Sequence, residues 1–399
     1  MWRCIPPVVS PVSARAVING VSAALGGEPD ARICVRSFLR ARLAATDVVL
    51  TDSGTSALIL ALRTSVQKEG IIALPGYGCV DLAAAAIGAG LRVRLYDLDP
   101  RTLSPDLDSL RRALDRGANA VVVAHLFGYP ADVAGVVKLA GEFGAAVIED
   151  AAQGAGGRLH SARIGSLADI SVLSFGRGKG TTGGRGGAMV VRTKSLARRT
   201  EIIGETLSTS QRGAAQALAV AAQGILSNPF LYRVPASIPA LKLGEMIYRP
   251  PSPPGKMSSV SAAILTETLH LEDLELSRRQ LHARELLSSI GGNRTLTVVR
   301  PVCGGESGYL RFAVLDDTGS RRASRTLGIT RPYPLTLEQH HELQPSIMSG
   351  EHAGKGAEIL RDRLYTLPTH SKVGVADVAR LVRWAHAEAL PQRALAAVV

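Results

Sequence analysis

DISVLSFGRGKGTTGGRGGAMVVR, residues 169–192, sets a glycine-rich loop with one lysine between two short apolar runs. Seven of the fourteen residues from Ser174 to Gly187 are glycine, and Lys179 sits among them. A Walker-type phosphate loop needs a glycine five before its Gly-Lys pair and Ser or Thr after it. Leu173 and Gly180 occupy those places, so that pattern fails. Gly178, Gly180 and Gly183 do form G-x-G-x-x-G, but a dinucleotide fingerprint opens a helix. Here GAMVVR follows, which reads as a strand. The loop is therefore read as a collar around Lys179, closed by strands on both sides.

Working outward, the same alternation fills residues 47–192. Strands are expected at 48–51, 71–74, 91–97, 120–125, 145–150, 169–175 and 187–192, with helix-length segments between them. In the first helix Leu58, Leu62 and Val66 recur at helical spacing. Strand–helix alternation implies an α/β fold with a largely parallel central sheet, whose ligands sit beyond the carboxyl ends of the strands. From about 195 to 255 the pattern loosens into proline-rich connections. A long periodic helix is then expected over 258–289, strands at 310–316 and 364–370, and a final helix near 375–390. Two domains follow from this reading: a large one over 1–245, with an N-terminal arm, and a smaller C-terminal α/β domain over 246–399.

Composition narrows the function. Of 399 residues 46% are hydrophobic and 20% charged, which is ordinary for a globular chain. No run approaches 18 apolar residues, so no membrane span is expected. Prolines interrupt the amino-terminal segment where an export signal needs an apolar run. The four cysteines are far apart, without C-x-x-C pairs, which argues against zinc or a disulfide framework and for a cytoplasmic protein. No His or Cys grouping has metal-ligand spacing, so no metal is expected. The formal charge of +12 comes from scattered arginines with no aromatic interleaving. That favours anionic small molecules over nucleic acid.

Two other strand ends carry chemistry. Ser53, Gly54, Thr55 and Ser56 stand between a strand and a helix start, where small hydroxyls and free N–H groups serve either a phosphate or a plain helix cap. Asp150 and Gln153 follow the strand VIED. A carboxylate there caps the next segment, orients a histidine, binds a metal or holds a cationic ring. With Lys179 and the hydroxyl of Ser174, these elements fit pyridoxal phosphate, which needs an imine-forming lysine, an acid for its ring nitrogen and a phosphate cup.

On SGTSAL (53–58), IEDAAQGAG (148–156) and SFGRGK followed by TTGGRGG (174–187), the sequence resembles the DegT/DnrJ/StrS family of pyridoxal phosphate-dependent sugar aminotransferases. A weaker match runs through MSSVSAAILTETLHLEDLELSRRQLHAR (257–284). The resemblance implies the aspartate-aminotransferase-like architecture, fold type I, as a homodimer with active sites at the subunit interface. It implies Lys179 as the Schiff-base lysine, Asp150 as the ring-nitrogen partner, Gln153 beside the ring, and Gly54, Thr55 and Ser174 at the phosphate. It further implies an amino group taken from glutamate and given to a keto sugar, commonly nucleotide-linked.

The chain also departs from the family. The segment that often supplies a ring-stacking aromatic reads PGYGC (75–79), leaving Tyr77 and Cys79 as alternatives for covering the ring. Arg185 stands where the family has an acid, and it implies an anionic acceptor if it faces the site. Pro254 replaces an asparagine that reaches the partner's phosphate. Two competing readings keep the cofactor. One is a regulator or scaffold without turnover; the other is an elimination or replacement enzyme of secondary metabolism.

Overall fold

Short apolar runs buried on both faces become the strands of one sheet. The computed structural model describes residues 3–26, 30–209, 213–238 and 246–387. It places β1 (Asp47–Thr51), β2 (Ile71–Pro75), β3 (Arg92–Tyr96), β4 (Ala120–Ala124) and β5 (Ala146–Asp150) in the first half of the chain. A hairpin of β6 (Arg158–Leu159) and β7 (Ala162–Arg163) follows, then β8 (Ile170–Ser174), β9 (Gly187–Val191), β10 (Ser208–Thr209) and β11 (Gly255–Lys256). Among the described residues the large sheet has nine strands in the order β10-β11-β1-β9-β8-β5-β4-β2-β3. The five from β8 to β3 run parallel, and β9 alone separates them from β1, antiparallel to both neighbours. All seven strands expected over residues 47–192 are present, each within one residue at either end.

Alternate residues of these strands serve opposite layers, as the strand period of two requires. Val49, Val172 and Met189 pack with α3 (Gly54–Ser65) and α4 (Val80–Ala89). Val48, Leu50 and Val190 face the other layer, formed there by α2 (Ala31–Arg42) and α10 (Ser259–Leu269). Further along the sheet Val121 and Val123 meet α5 (Leu107–Asp115) and α6 (Val133–Glu142). Burial on both faces explains why these strands read as continuous apolar runs rather than alternating ones.

Three expectations change. The single helix over 258–289 is two: α10, and α11 (Glu272–Ile290). At the break the Leu271 N–H donates to Thr268 O, three residues back instead of four. The break lets one stretch serve two layers, α10 packing on α1 (Ala14–Ala24) and α2, and α11 on α13 (Val375–His386). The loosened region holds real helices, α7 (Lys194–Thr206) and α8 (Ala214–Leu226), and a short α9 (Arg233–Ala236). Finally, the large sheet crosses the boundary drawn at 245/246. β11 pairs with β1 at Thr51–Lys256, and the small sheet, of β12 (Leu296–Val298), β14 (Phe312–Asp316) and β15 (Leu364–Leu367), begins only at Leu296, while β13 (Gly305–Glu306) joins the β6–β7 hairpin and α12 (Lys355–Arg363) leads into β15.

The amino-terminal arm ties the two parts together. Ile5 lies in the apolar core of the small sheet with Phe312, Leu367 and Leu381. One residue on, Pro6 O accepts a hydrogen bond from His370 Nε2 at 2.8 Å, and the Lys372 N–H donates to Nδ1 at 3.2 Å. A carbonyl only accepts, so His370 sits here as the neutral Nε2–H tautomer. Burial holds its pKa down at about 4, from an ordinary 6.5. Between those values the unfolded chain binds the proton and the folded one does not, so stability falls as pH drops through that window. The loss is on the order of 3 kcal/mol. A His370→Gln variant should show a flatter stability–pH profile between about pH 6.5 and 4, measured by denaturant midpoints.

Candidate active site

The carboxyl ends of β1, β2, β5 and β8 open into one cavity of about 860 Å³. Each strand delivers a residue that the sequence singled out: Ser53 and Gly54 after β1, Cys79 after β2, Asp150 and Gln153 at β5, and Ser174 and Lys179 from β8. Ligands of open α/β sheets occupy this edge.

The first part of the site is an anion cup. Ser53 has extended backbone and caps α3, its Oγ accepting the Ser56 N–H at 3.1 Å. The same Oγ donates to Ser56 Oγ at 2.8 Å, and Ser56 Oγ donates to Asp52 Oδ1 at 2.6 Å. Gly54 and Thr55, the first residues of α3, line the cavity together with Ser174. Gly54 is required by proximity: a Cβ there would lie 2.6 Å from Ser174 Cβ and 2.8 Å from its Oγ. The helix start and the end of β8 are therefore pressed together, and Ser53 serves as the cap of α3. A helix start also leaves N–H donors for an anion.

The collar is held from a distance. Ser10, on the amino-terminal arm and 3% exposed, accepts the Gly178 N–H at 3.1 Å and donates to Lys179 O at 2.8 Å. One hydroxyl thus fixes the backbone on both sides of the lysine. Gly178 adopts φ +77°, a left-handed conformation that glycine accepts without strain. Nothing near Lys179 in sequence signals Ser10, because the contact spans 169 residues.

Asp150 forms the floor. Burial pushes its carboxyl above the ordinary carboxylate range, against the Ala152 N–H bond at 2.9 Å and the nearby Lys179 cation. Beneath it His125 Nε2 and Glu149 Oε1 meet at 3.0 Å, both fully buried. Burial raises the Glu149 pKa, but His125, the Gly165 N–H and the Ser171 hydroxyl outweigh it and leave the carboxylate below its usual range. Gln153 is braced by two bonds, accepting the Phe127 N–H at 3.3 Å and donating to Tyr333 OH at 2.7 Å.

Of the two residues considered for covering a ring, Cys79 lines the cavity. Burial, with Asp81 adding, pushes its thiol well up, so it is neutral. Tyr77 stands outside the lining, 0% exposed, packed edge-on against Tyr333 with ring centroids 5.2 Å apart. Arg185 lies on the lining, as do Asp81, Arg177 and Arg249, which the sequence did not single out. Pro254 is outside it.

These residues fit pyridoxal phosphate. A small-residue cradle of N–H and hydroxyl donors, a lysine and a buried carboxyl share one cavity, and a side chain at position 54 would fill the cradle. The fold is the α/β architecture of fold-type-I pyridoxal phosphate-dependent transferases. The chain belongs to the DegT/DnrJ/EryC1/StrS aminotransferase family, whose model matches residues 36–384, and that family is pyridoxal phosphate-dependent. It is 35% identical over 150 residues to the L-glutamine:2-deoxy-scyllo-inosose aminotransferase of Streptoalloteichus tenebrarius, a match spanning 37% of this chain and 35% of that protein. It is 33% identical over 153 residues to the dTDP-4-dehydro-2,3,6-trideoxy-D-glucose 4-aminotransferase of Saccharopolyspora spinosa, over 38% of this chain and 40% of that one. The aligned stretches thus span little more than a third of these relatives. The structure of the aminotransferase TlmJ from Streptoalloteichus hindustanus superposes with a TM-score of 0.74 at 22% identity, covering 99% of this chain and 100% of that one.

The cradle gives a direct test. Gly54→Ala should push the start of α3 away from the end of β8, costing about 1–3 kcal/mol of stability, and weaken pyridoxal phosphate binding by about tenfold or more. Absorbance titration of the purified protein measures it.

Proposed function

We propose that this protein is a pyridoxal phosphate-dependent aminotransferase that takes an amino group from glutamate or its amide and delivers it to the ketone of a sugar or cyclitol. The observation that carries this reading is the convergence of Lys179, Asp150 and the α3 amino terminus in one cavity. The relatives' names support the acceptor class, one acting on a cyclitol ketone and another on a nucleotide-linked keto sugar.

When bound, the cofactor supplies a carbonyl that takes up the amine and a ring that absorbs electrons as the donor's Cα–H bond breaks. The protein's residues do the rest. The first-turn amides of α3, with Ser53, Thr55, Ser56 and Ser174, would hold the phosphate against the helix dipole. Asp150, whose Oδ1 accepts the Ala152 N–H, would pair with the ring nitrogen and keep it protonated. Gln153, fixed by Phe127 and Tyr333, would stand beside the ring, and the small Cys79 would leave room over it. Lys179 Nζ would carry the proton between the donor's α carbon and the cofactor, as general base and then general acid. Ser10 keeps the lysine's backbone in place while the side chain moves.

We also infer a homodimer. Leu218, Ile225, Phe230 and Val234 expose between 60% and 63% of their surface on α8, α9 and the turn between them, and other residues of α8 line the cavity. A second copy covering them would close the site. No helix among the described residues is long and apolar enough to cross a membrane. The cysteines Cys4, Cys34, Cys79 and Cys303 are free, which supports a cytoplasmic setting.

Lys179→Ala should abolish amine transfer, by at least about 10²-fold, while the variant still binds the cofactor. Assay with glutamate and glutamine against 2-deoxy-scyllo-inosose and nucleotide-linked 4-keto sugars checks this. Amine product from the variant at the wild-type rate, or an elimination product from the wild type, contradicts it.

A further inference from the structure

Asp52 follows β1 directly, one residue before the cap of α3, and lines the cavity with Ser53, Gly54, Thr55 and Ser56. A carboxylate beside a cup that takes an anion repels what the cup holds. Among the described residues no lysine or arginine forms an ion pair with it. Its place is fixed from behind. The Asp52 N–H donates to Gly255 O at 2.8 Å, and a Cβ at Gly255 would lie 3.2 Å from Asp52 Oδ2.

The carboxylate also decides where the neighbouring protons point. An ionised carboxylate only accepts, so the 2.6 Å contact between Asp52 Oδ1 and Ser56 Oγ is donated by Ser56. A hydroxyl has one proton, which leaves Ser56 Oγ as the acceptor for Ser53 Oγ at 2.8 Å. Ser53 Oγ itself lies 3.4 Å from the same carboxylate oxygen. Both protons therefore run towards Asp52, and the two hydroxyls have only lone pairs to turn to an anion. Thr55 and Ser174 differ. Among the described residues their hydroxyls make no hydrogen bond, and both residues line the cavity.

We propose that Asp52 limits the affinity of the cup for the cofactor: it draws the Ser53 and Ser56 hydroxyl protons away from the phosphate and opposes the phosphate with its own charge. The inference rests on the pyridoxal phosphate reading and divides the roles within the cup. The α3 amides, Thr55 and Ser174 supply the donors, while Ser53 and Ser56 shape the cup and have their protons committed elsewhere. An amide at position 52 undoes both effects. It carries no charge, and its Nδ2–H can donate to Ser56 Oγ, which releases the Ser56 proton to the phosphate. A hydrogen bond to an ionised acceptor is of the stronger kind.

The test strips full-length protein of cofactor and titrates it with pyridoxal phosphate and, separately, with pyridoxal, read by visible absorbance. D52N should bind pyridoxal phosphate more tightly than wild type, by about tenfold. Pyridoxal, which has no phosphate, should bind both alike. S56A should cost more affinity in the D52N background than in wild type, by about threefold or more. Equal or weaker binding of pyridoxal phosphate by D52N overturns the proposal. So does a matching gain for pyridoxal, or the same loss from S56A in both backgrounds. Magnesium that raises wild-type affinity to the D52N level would put a bridging cation on Asp52, and overturns it as well. Should D52N fail to fold, S56A alone decides: a loss below about tenfold supports the proposal and a larger one overturns it. A wild type that takes up neither compound contradicts the cofactor reading itself, a distinct outcome.

Discussion

Everything in the site depends on the antiparallel placement of β9. Gly187, its first residue, is in register with Thr51 of β1 on one side and Ser174 of β8 on the other. Because β9 runs back between two strands of the same direction, the collar must leave β8 and return at their shared carboxyl edge. That edge is where α3 begins. The close approach of Gly54 to Ser174 is then a consequence of the sheet, and the anion cup and the lysine loop become two sides of one wall. A parallel strand in that slot would carry the return to the opposite edge and separate Lys179 from the cup.

This explains how much was legible. The strands were readable because burial on both faces demands runs such as AVVVA and GAMVV, bounded by polar turns. The collar was readable because GAMVV after the glycines spoke against a helix-opening loop. Asp150 and Lys179 stood out in the sequence because Asp150 ends β5 and Lys179 is the lysine of the glycine-rich loop between β8 and β9; both line the one cavity. The break at His270–Leu271 was not, since neither glycine nor proline marks it and apolar residues continue on both sides. It is imposed by packing: α10 belongs to the layer of α1 and α2, α11 to that of α13. Ser10 was equally silent, because a hydrogen bond to a residue 169 positions away leaves no local pattern. The sheet's passage beyond residue 245 escaped for the same reason, β11 being two residues long and recognisable only by its partner β1.

The arm gives these long-range contacts a common role. Ile5 and Pro6 are held by the small sheet's core and by His370, and Ser10 holds the collar. Five residues therefore span from the domain that is remote from the cofactor cup to the backbone of the candidate catalytic lysine. The charge distribution complements this layout. Small hydroxyl residues, Asp150, Lys179, Arg177, Arg185 and Arg249 all line the one cavity. The uncharged thiol at position 79 leaves more room than the aromatic ring the family often carries.

The central claim, that Lys179 is the residue to which the cofactor attaches, is tested most directly by loading the protein with pyridoxal phosphate, reducing it with borohydride and mapping the modified lysine by peptide mass spectrometry. The account predicts a single pyridoxyl adduct on Lys179. An adduct on another lysine, such as Lys256 or Lys355, or none after loading, would contradict it.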